Sequence, residues 1–163
     1  AVYIWLMRHG KADADNGGKD EDRRLSLRGV TDAAGMAKVI KKHMNARRPV
    51  IYASSFARAV DTARAVASEL GCLPVKKSSD LSTGDLNSFY CRVLRQETEN
   101  DIICIGHTPY LEAWLHTWTG SVLRFSRAGV ALVEYDPYDG PVGKGELIMY
   151  VQPAVLSLLR GCF

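Results

Sequence analysis

The sequence predicts an α/β fold: a three-layer α/β/α sandwich around a mostly parallel, mixed central sheet. Three observations carry this. The runs Val2–Met7, Pro49–Ala53 and Asp101–Ile105 lack polar alternation, as strands covered on both faces do. Segments of helical period separate them, the order that builds parallel sheets. At 163 residues and 47% hydrophobic, the chain has the length for one sizeable core, so we expect a single domain over 1–163.

In order, Val2–Met7 reads as a buried strand, followed by a polar, Gly/Asp-rich loop from Lys11 to Arg24. Helical periodicity runs from Val30 to Met44, with Ala33, Ala37, Ile40 and Met44 on one face. Pro49–Ala53 is the second strand; Ser54 and Ser55 are placed to cap a helix over Ala57–Leu70, which Gly71 stops. Pro74-Val75 begins a short strand, Asp80–Asn87 reads as a loop, and a helix covers Ser88–Glu97. After the Asp101–Ile105 strand comes a helix over Pro109–Thr119, ended by Gly120. Two late strands, Gly129–Tyr135 and Glu146–Val151, flank the turn-rich Asp136–Lys144. No repeat, linker or low-complexity segment interrupts this order.

Composition narrows the function. A net charge of +3 is too mild for a nucleic-acid footprint, and no apolar stretch reaches the length of a membrane span. The first apolar run is short, lacks a basic leader and does not read as a signal peptide. The chain begins at Ala1 rather than Met, which suggests a trimmed start. The four cysteines, Cys72, Cys91, Cys104 and Cys162, form no C-x-x-C pair. They suit a reducing compartment, so we expect a cytoplasmic protein without a disulfide framework or metal site.

In parallel sheets, ligands bind beyond the carboxyl ends of the strands. Arg8-His9 follows the first strand, Ser54-Ser55 and Arg58 the second, and Gly106-His107 the Asp101–Ile105 strand. Each feature alone has a plainer reading. Arg8-His9 reads as a solvated strand end, His107 as a cap for the Thr108-Pro109 helix start, and Arg58 as a surface ion pair. Arg23-Arg24 reads as a solvated pair, and His43 and His116 as structural. Three strand exits delivering Arg, His, Arg and His to one edge make the joint plain reading poor. That edge suits a phosphate.

Met7-Arg8-His9-Gly10, the run Ser54-Ser55-Phe56-Ala57-Arg58-Ala59-Val60-Asp61-Thr62-Ala63 and Gly106-His107 together resemble the histidine phosphatase superfamily. The small size and lack of large insertions are most similar to its SixA-type phosphohistidine phosphatase branch. Arg23-Arg24-Leu25-Ser26-Leu27-Arg28-Gly29 resembles that branch's R-P-L-T-x-x-G segment, and Gly145–Leu147 through Gln152-Pro153 its last strand. The resemblance implies a phosphoglycerate mutase-like fold and a metal-independent phosphatase with no cofactor. It implies His9 as the nucleophile, forming a phosphohistidine. Arg8 and Arg58 would clamp the non-bridging oxygens, and His107 would donate to them once protonated. Arg23 matches a phosphate-binding position, although adjacent Arg24 leaves two alignments.

The sequence departs from the family at two points. Ser55 stands where the family usually has Pro. Asp80, four residues before Gly84, fits the general-acid spacing with Asp in place of Glu, and Asp85 and Asp13 compete for the role. A weakly conforming acid matters least for a good leaving group, which favours phosphohistidine on a signalling protein, for instance a histidine-containing phosphotransfer domain. The alternatives are a phosphatase of small phosphomonoesters and a non-catalytic module that binds phosphorylated partners. Mutase activity would need an insertion the chain lacks, and a monomer is the expected state.

Overall fold

The structure, a computed structural model, describes residues 2–14, 17–44, 48–71, 74–140 and 142–162, which leaves Cys72 outside the described residues. Six strands, β1 (Val2–Arg8), β2 (Val50–Ala53), β3 (Val75–Lys77), β4 (Ile102–Gly106), β5 (Val130–Tyr135) and β6 (Glu146–Val151), form one sheet in the order β3-β2-β4-β1-β5-β6. The first four strands in that order pair in parallel. β5 runs antiparallel to both β1 and β6, so the sheet is mixed and mostly parallel, as expected. The helices are α1 (Leu27–His43), α2 (Ala57–Leu70), α3 (Ser79–Thr83), α4 (Leu86–Phe89, continued by a π-helical turn over Tyr90–Leu94) and α5 (Tyr110–Thr119). Among the described residues no helix is long and apolar enough to cross a membrane.

The three layers follow from the period of two in a strand covered on both faces. Ile4 and Leu6 of β1 pack on Phe89, Leu94, Trp114 and Trp118. Trp5 and Met7 point the other way, onto Met36 and Ile40 of α1 and Ala63 and Val66 of α2. His43 meets the edges of the Tyr3 and Trp5 rings, the structural role its sequence context suggests. Cys104 is buried, and Cys91 and Cys162 are free and exposed.

Three boundaries differ from expectation. α1 begins at Leu27, where the Ser26 hydroxyl accepts from Gly29 N at 3.1 Å; the expected start at Val30 lies about a turn later. Asp80–Asn87 is no loop: it holds most of α3 and the start of α4, separated by Gly84 at φ 80°. Helices of 5 and 4 residues are too short to print a period. Ser54 and Ser55 do not cap α2, whose N-cap is Phe56; Ser54 Oγ accepts from Phe56 N at 3.2 Å in a local turn.

The chain leaving β1 runs against the start of α1 with no room for side chains. A methyl at Gly29 would stand 2.4 Å from the Lys11 carbonyl oxygen, and one at Gly10 3.0 Å from the Gly29 carbonyl oxygen. Alanine is the better helix former by about 1 kcal/mol, but a rigid backbone carbonyl cannot yield to the clash. We expect Gly29→Ala to lose about 1–3 kcal/mol in urea unfolding; an unchanged midpoint would refute the close approach.

Candidate active site

β2, β4 and β1 are adjacent, parallel, and end at the same edge of the sheet. Their hydrogen-bond ladder continues past the strand ends. His9 N donates to Gly106 O at 3.1 Å, and Ser54 N donates to Ile105 O at 3.0 Å. Arg8, His9, Ser54 and His107 therefore sit on backbone fixed by the sheet, and Arg58 enters from the first turn of α2. Thr62, fully buried, locks that turn to the chain after His9: Gly10 N donates to Thr62 Oγ1 at 3.1 Å, and this hydroxyl donates to Arg58 O at 2.7 Å.

These groups line a cleft of about 350 Å³ whose wall includes four arginines, Arg8, Arg23, Arg58 and Arg127, with His9 and His107 and, among the described residues, no carboxylate residue. His9 Nδ1 lies 2.7 Å from the Gly10 carbonyl. A carbonyl only accepts, so Nδ1 carries the proton and Nε2 of the neutral ring keeps its lone pair. Arg58 Nε donates to that Nε2 at 3.3 Å. Burial, followed by the charges of His107, Arg58 and Arg8, lowers the His9 pKa to about 3 against the opposing Gly10 hydrogen bond. Burial and the same two arginines lower His107 to about 4, with Asp20 acting the other way. Both rings are neutral at pH 7, with centroids 5.2 Å apart. His107 Nε2 lies 2.7 Å from Ser54 Oγ, and Phe56 meets the His107 ring edge-on while the Arg58 guanidinium lies over the Phe56 face.

Two arginines carry the marks of a site that expects an anion. Arg8 Nη1 donates to Phe125 O at 3.0 Å, while its buried Nε has no partner among the described residues. Arg58 is held by Asp20: Nη1 donates to the Asp20 carbonyl at 2.9 Å and Nη2 to its carboxylate at 3.2 Å. The other oxygen of that carboxylate accepts from Arg23 Nη1 at 3.1 Å. Asp20 thus places an oxyanion across two guanidinium groups, and they hold its pKa below the usual carboxylate range.

Of the two adjacent arginines in the loop, Arg23 lines the cleft, while Arg24 turns away into a bidentate pair with Asp61 at 2.7 and 2.8 Å. The structure corrects the placement expected for Asp80. Its side chain is buried beside Arg92, 3.6 Å from Nη1, and is not part of the cleft wall. Asp85 caps α4, accepting from Ser88 N at 3.0 Å and from the Ser88 hydroxyl at 2.8 Å. Asp13 is exposed, and its carbonyl accepts from Arg23 Nε at 2.9 Å. None of the three sequence candidates lines the cleft. Sequence reasoning missed Asp20, Phe56 and Arg127. The only signal for Asp20 is its spacing of three residues from Arg23.

An unprotonated ring nitrogen among guanidinium forks can bind an oxyanion and attack its central atom. Among the described residues no three His, Cys, Asp or Glu side chains are grouped to hold a metal ion. Residues 4–89 match the family model of the histidine phosphatase superfamily (branch 1). The protein histidine phosphatase SixA complexed with tungstate superposes with a TM-score of 0.81 at 22% identity, covering 95% of this chain and 99% of that one. A putative phosphohistidine phosphatase SixA from Agrobacterium tumefaciens gives 0.74 at 22%, covering 93% and 99%. A phosphoserine phosphatase from Entamoeba histolytica gives 0.65 at 16%, covering 92% and 96%. No curated protein sequence matches the chain.

Two expectations follow. Asp20→Asn removes the internal anion, so inorganic phosphate should bind about two- to fivefold tighter by calorimetry; weaker binding would mean that Asp20 positions the arginines rather than competing for them. Both histidines have folded pKa values below the unfolded 6.5, so their contribution to stability is complete above about 6.5 and is lost as pH falls toward about 4. The urea midpoint should drop from pH 7 to pH 5, above the range where carboxylates titrate, and the drop should shrink in His9→Asn/His107→Asn.

Proposed function

This chain belongs to the histidine phosphatase superfamily, branch 1, and on that basis we propose that it is a metal-independent phosphatase. It would work through a phosphohistidine at His9, on phosphohistidine carried by a signalling protein. The observation that carries the reading is the state of His9: Nδ1–H on the Gly10 carbonyl leaves Nε2 unprotonated and facing the arginines.

In this reading the phosphoryl group displaces the Asp20 carboxylate from Arg58 and Arg23 and meets the unpaired Nε–H of Arg8. Planar guanidinium forks match its oxygens bidentately, and in a partly buried cleft each charged hydrogen bond is strengthened. Nε2 attacks phosphorus in line, a P–Nε2 bond forms, and the bond to the leaving group breaks. Positive charge then grows on the His9 ring, where the Nδ1–H bond to Gly10 stabilises it. His107 is kept neutral by burial and, after it, by the field of Arg58 and Arg8; the arriving dianion offsets that field, favouring the protonated form as a further donor to the transferring oxygens. Water next attacks the phosphohistidine. The electron pair returns to Nε2, and orthophosphate leaves with the water's hydrogens.

The substrate class rests on the leaving group. A phosphohistidine protonated on its far nitrogen departs as neutral imidazole and needs no acid. An alkoxide does need one, and among the described residues the cleft wall carries no carboxylate; the nearby Asp20 carboxylate is ionised on Arg23 and Arg58. A cleft with no insertion over it among the described residues suits a side chain projecting from a protein surface.

The test uses a domain labelled with ³²P on histidine. Acid-labile label should appear on the unsubstituted enzyme and be absent from His9→Ala, with turnover lowered by about a thousandfold or more. Full activity of His9→Ala on an aryl phosphate would end the proposal. Faster turnover of a small phosphomonoester than of the labelled domain would overturn the substrate part alone.

A further inference from the structure

A second groove of about 410 Å³ opens beside the cleft, and Arg127 lines both. Its other charged residues are Lys11, from the chain after β1, with Arg28 and Asp32 from α1; the segment after β6, Gln152 to Ala154, forms the far wall. The sum is three cations against one anion. Asp32 pairs with Arg28 at 3.5 Å. Lys11 and Arg127 are exposed, and their side chains have no hydrogen-bond or ion-pair partner among the described residues.

Arg127 is surplus to phosphate recognition. A phosphoryl group offers three non-bridging oxygens, and Arg8, Arg23, Arg58 and His107 line the cleft to receive them. Yet Arg127 is held in place at some cost. Ser126–Gly129 closes a tight turn, with Gly129 N donating to Ser126 O at 2.8 Å and Ser126 N donating to the Tyr150 hydroxyl at 2.8 Å. Within it, Ala128 sits at φ 59°, a region that disfavours a residue with a Cβ, while its N–H donates to the His9 carbonyl at 3.1 Å. That strained residue ties the Arg127 turn to the residue bearing the nucleophile. Burial lowers the Arg8 pKa, and the Arg127 charge adds to that lowering.

We infer that this groove is a docking track for an acidic segment of the phosphoprotein substrate, with Arg127 reading the acid nearest the phosphorylated side chain and Lys11 and Arg28 reading those beyond. The inference rests on the phosphoprotein reading above. Charge complementarity names the occupant: positive residues from three separate parts of the chain line one open track that leads into the cleft. A protein also fits the neighbouring surface, where Leu27 and Val30 of the first turn of α1 are 89% and 42% exposed. A small ligand with a second anionic group would need Arg127 alone.

The experiment compares the unsubstituted protein with Lys11→Gln/Arg28→Gln and, separately, Arg127→Gln. The substrates are an aryl phosphate, a small phosphorylated carboxylic acid, a phosphohistidine domain with acidic residues flanking its histidine, and the same domain with those residues neutralised. Lys11→Gln/Arg28→Gln should leave the aryl phosphate unaffected and raise KM for the acidic domain about fivefold. It should also flatten the dependence of that KM on NaCl and leave the neutralised domain unchanged. Arg127→Gln should likewise raise KM for the acidic domain more than for the neutralised one. The unsubstituted protein provides a readout free of folding artefacts: its KM should climb with NaCl for the acidic domain more steeply than for the neutralised one.

Equal KM values across both domains, or equal salt slopes, would overturn the docking track while leaving the phosphatase reading intact. An effect confined to a small phosphorylated acid would reassign the groove to a metabolite. Turnover of aryl phosphate but of neither domain would instead defeat the phosphoprotein reading and the track with it.

Discussion

The hydrogen bond from His9 Nδ1 to the Gly10 carbonyl is the interaction on which the site depends. It selects one of two tautomers and so decides which nitrogen faces the cations. Reversing it would point a proton at the cleft and leave the lone pair against a carbonyl. The bond needs the chain to turn at Gly10, and that turn is possible because α1 presents Gly29 there instead of a side chain. Thr62 then fixes the distance to α2 by accepting from Gly10 and donating to the Arg58 carbonyl. Two glycines and a buried hydroxyl therefore set the geometry between nucleophile and clamp.

Gathering cations raises its own electrostatic problem. Four arginines line one cleft; burial first, then the field of Arg58 and Arg8, keeps both histidines neutral. Asp20 offsets part of that field from an exposed turn and gives Arg58 and Arg23 a shared partner. The helical arrangement serves the same end. Arg58 stands in the first turn of α2, where the dipole disfavours a cation, and Phe56 and Asp20 are the groups that hold it there.

The layers and the three strand exits were legible because buried parallel strands print continuous apolar runs, and the residues after them are fixed by the ladder. His9, Arg8, Arg58 and His107 meet for that reason. Asp80 was misplaced because spacing to a glycine says nothing about which way a five-residue helix turns its side chains. Asp20 and Arg127 were invisible for a related reason. Their positions come from a folded loop and from a turn at the start of β5, where side-chain direction is set by contacts distant in sequence. The choice between Arg23 and Arg24 likewise depended on Asp61, more than thirty residues away.

The ladder that continues past β1, β2 and β4 divides the site into parts of unequal firmness. The amides of His9 and Ser54 belong to the sheet and open only when its centre opens. Asp20 and Arg23 belong to a surface loop closed by a few backbone bonds, among them Asp13 N to Arg24 O at 2.9 Å and Ser26 N to Lys11 O at 2.9 Å. Sequence drift in that loop can reshape what the mouth admits with little effect on global folding. Drift at the strand exits would loosen the molecule as a whole. The part that does chemistry is thereby insulated from the part that chooses a substrate, an arrangement that lets relatives of one architecture diverge in what they act upon.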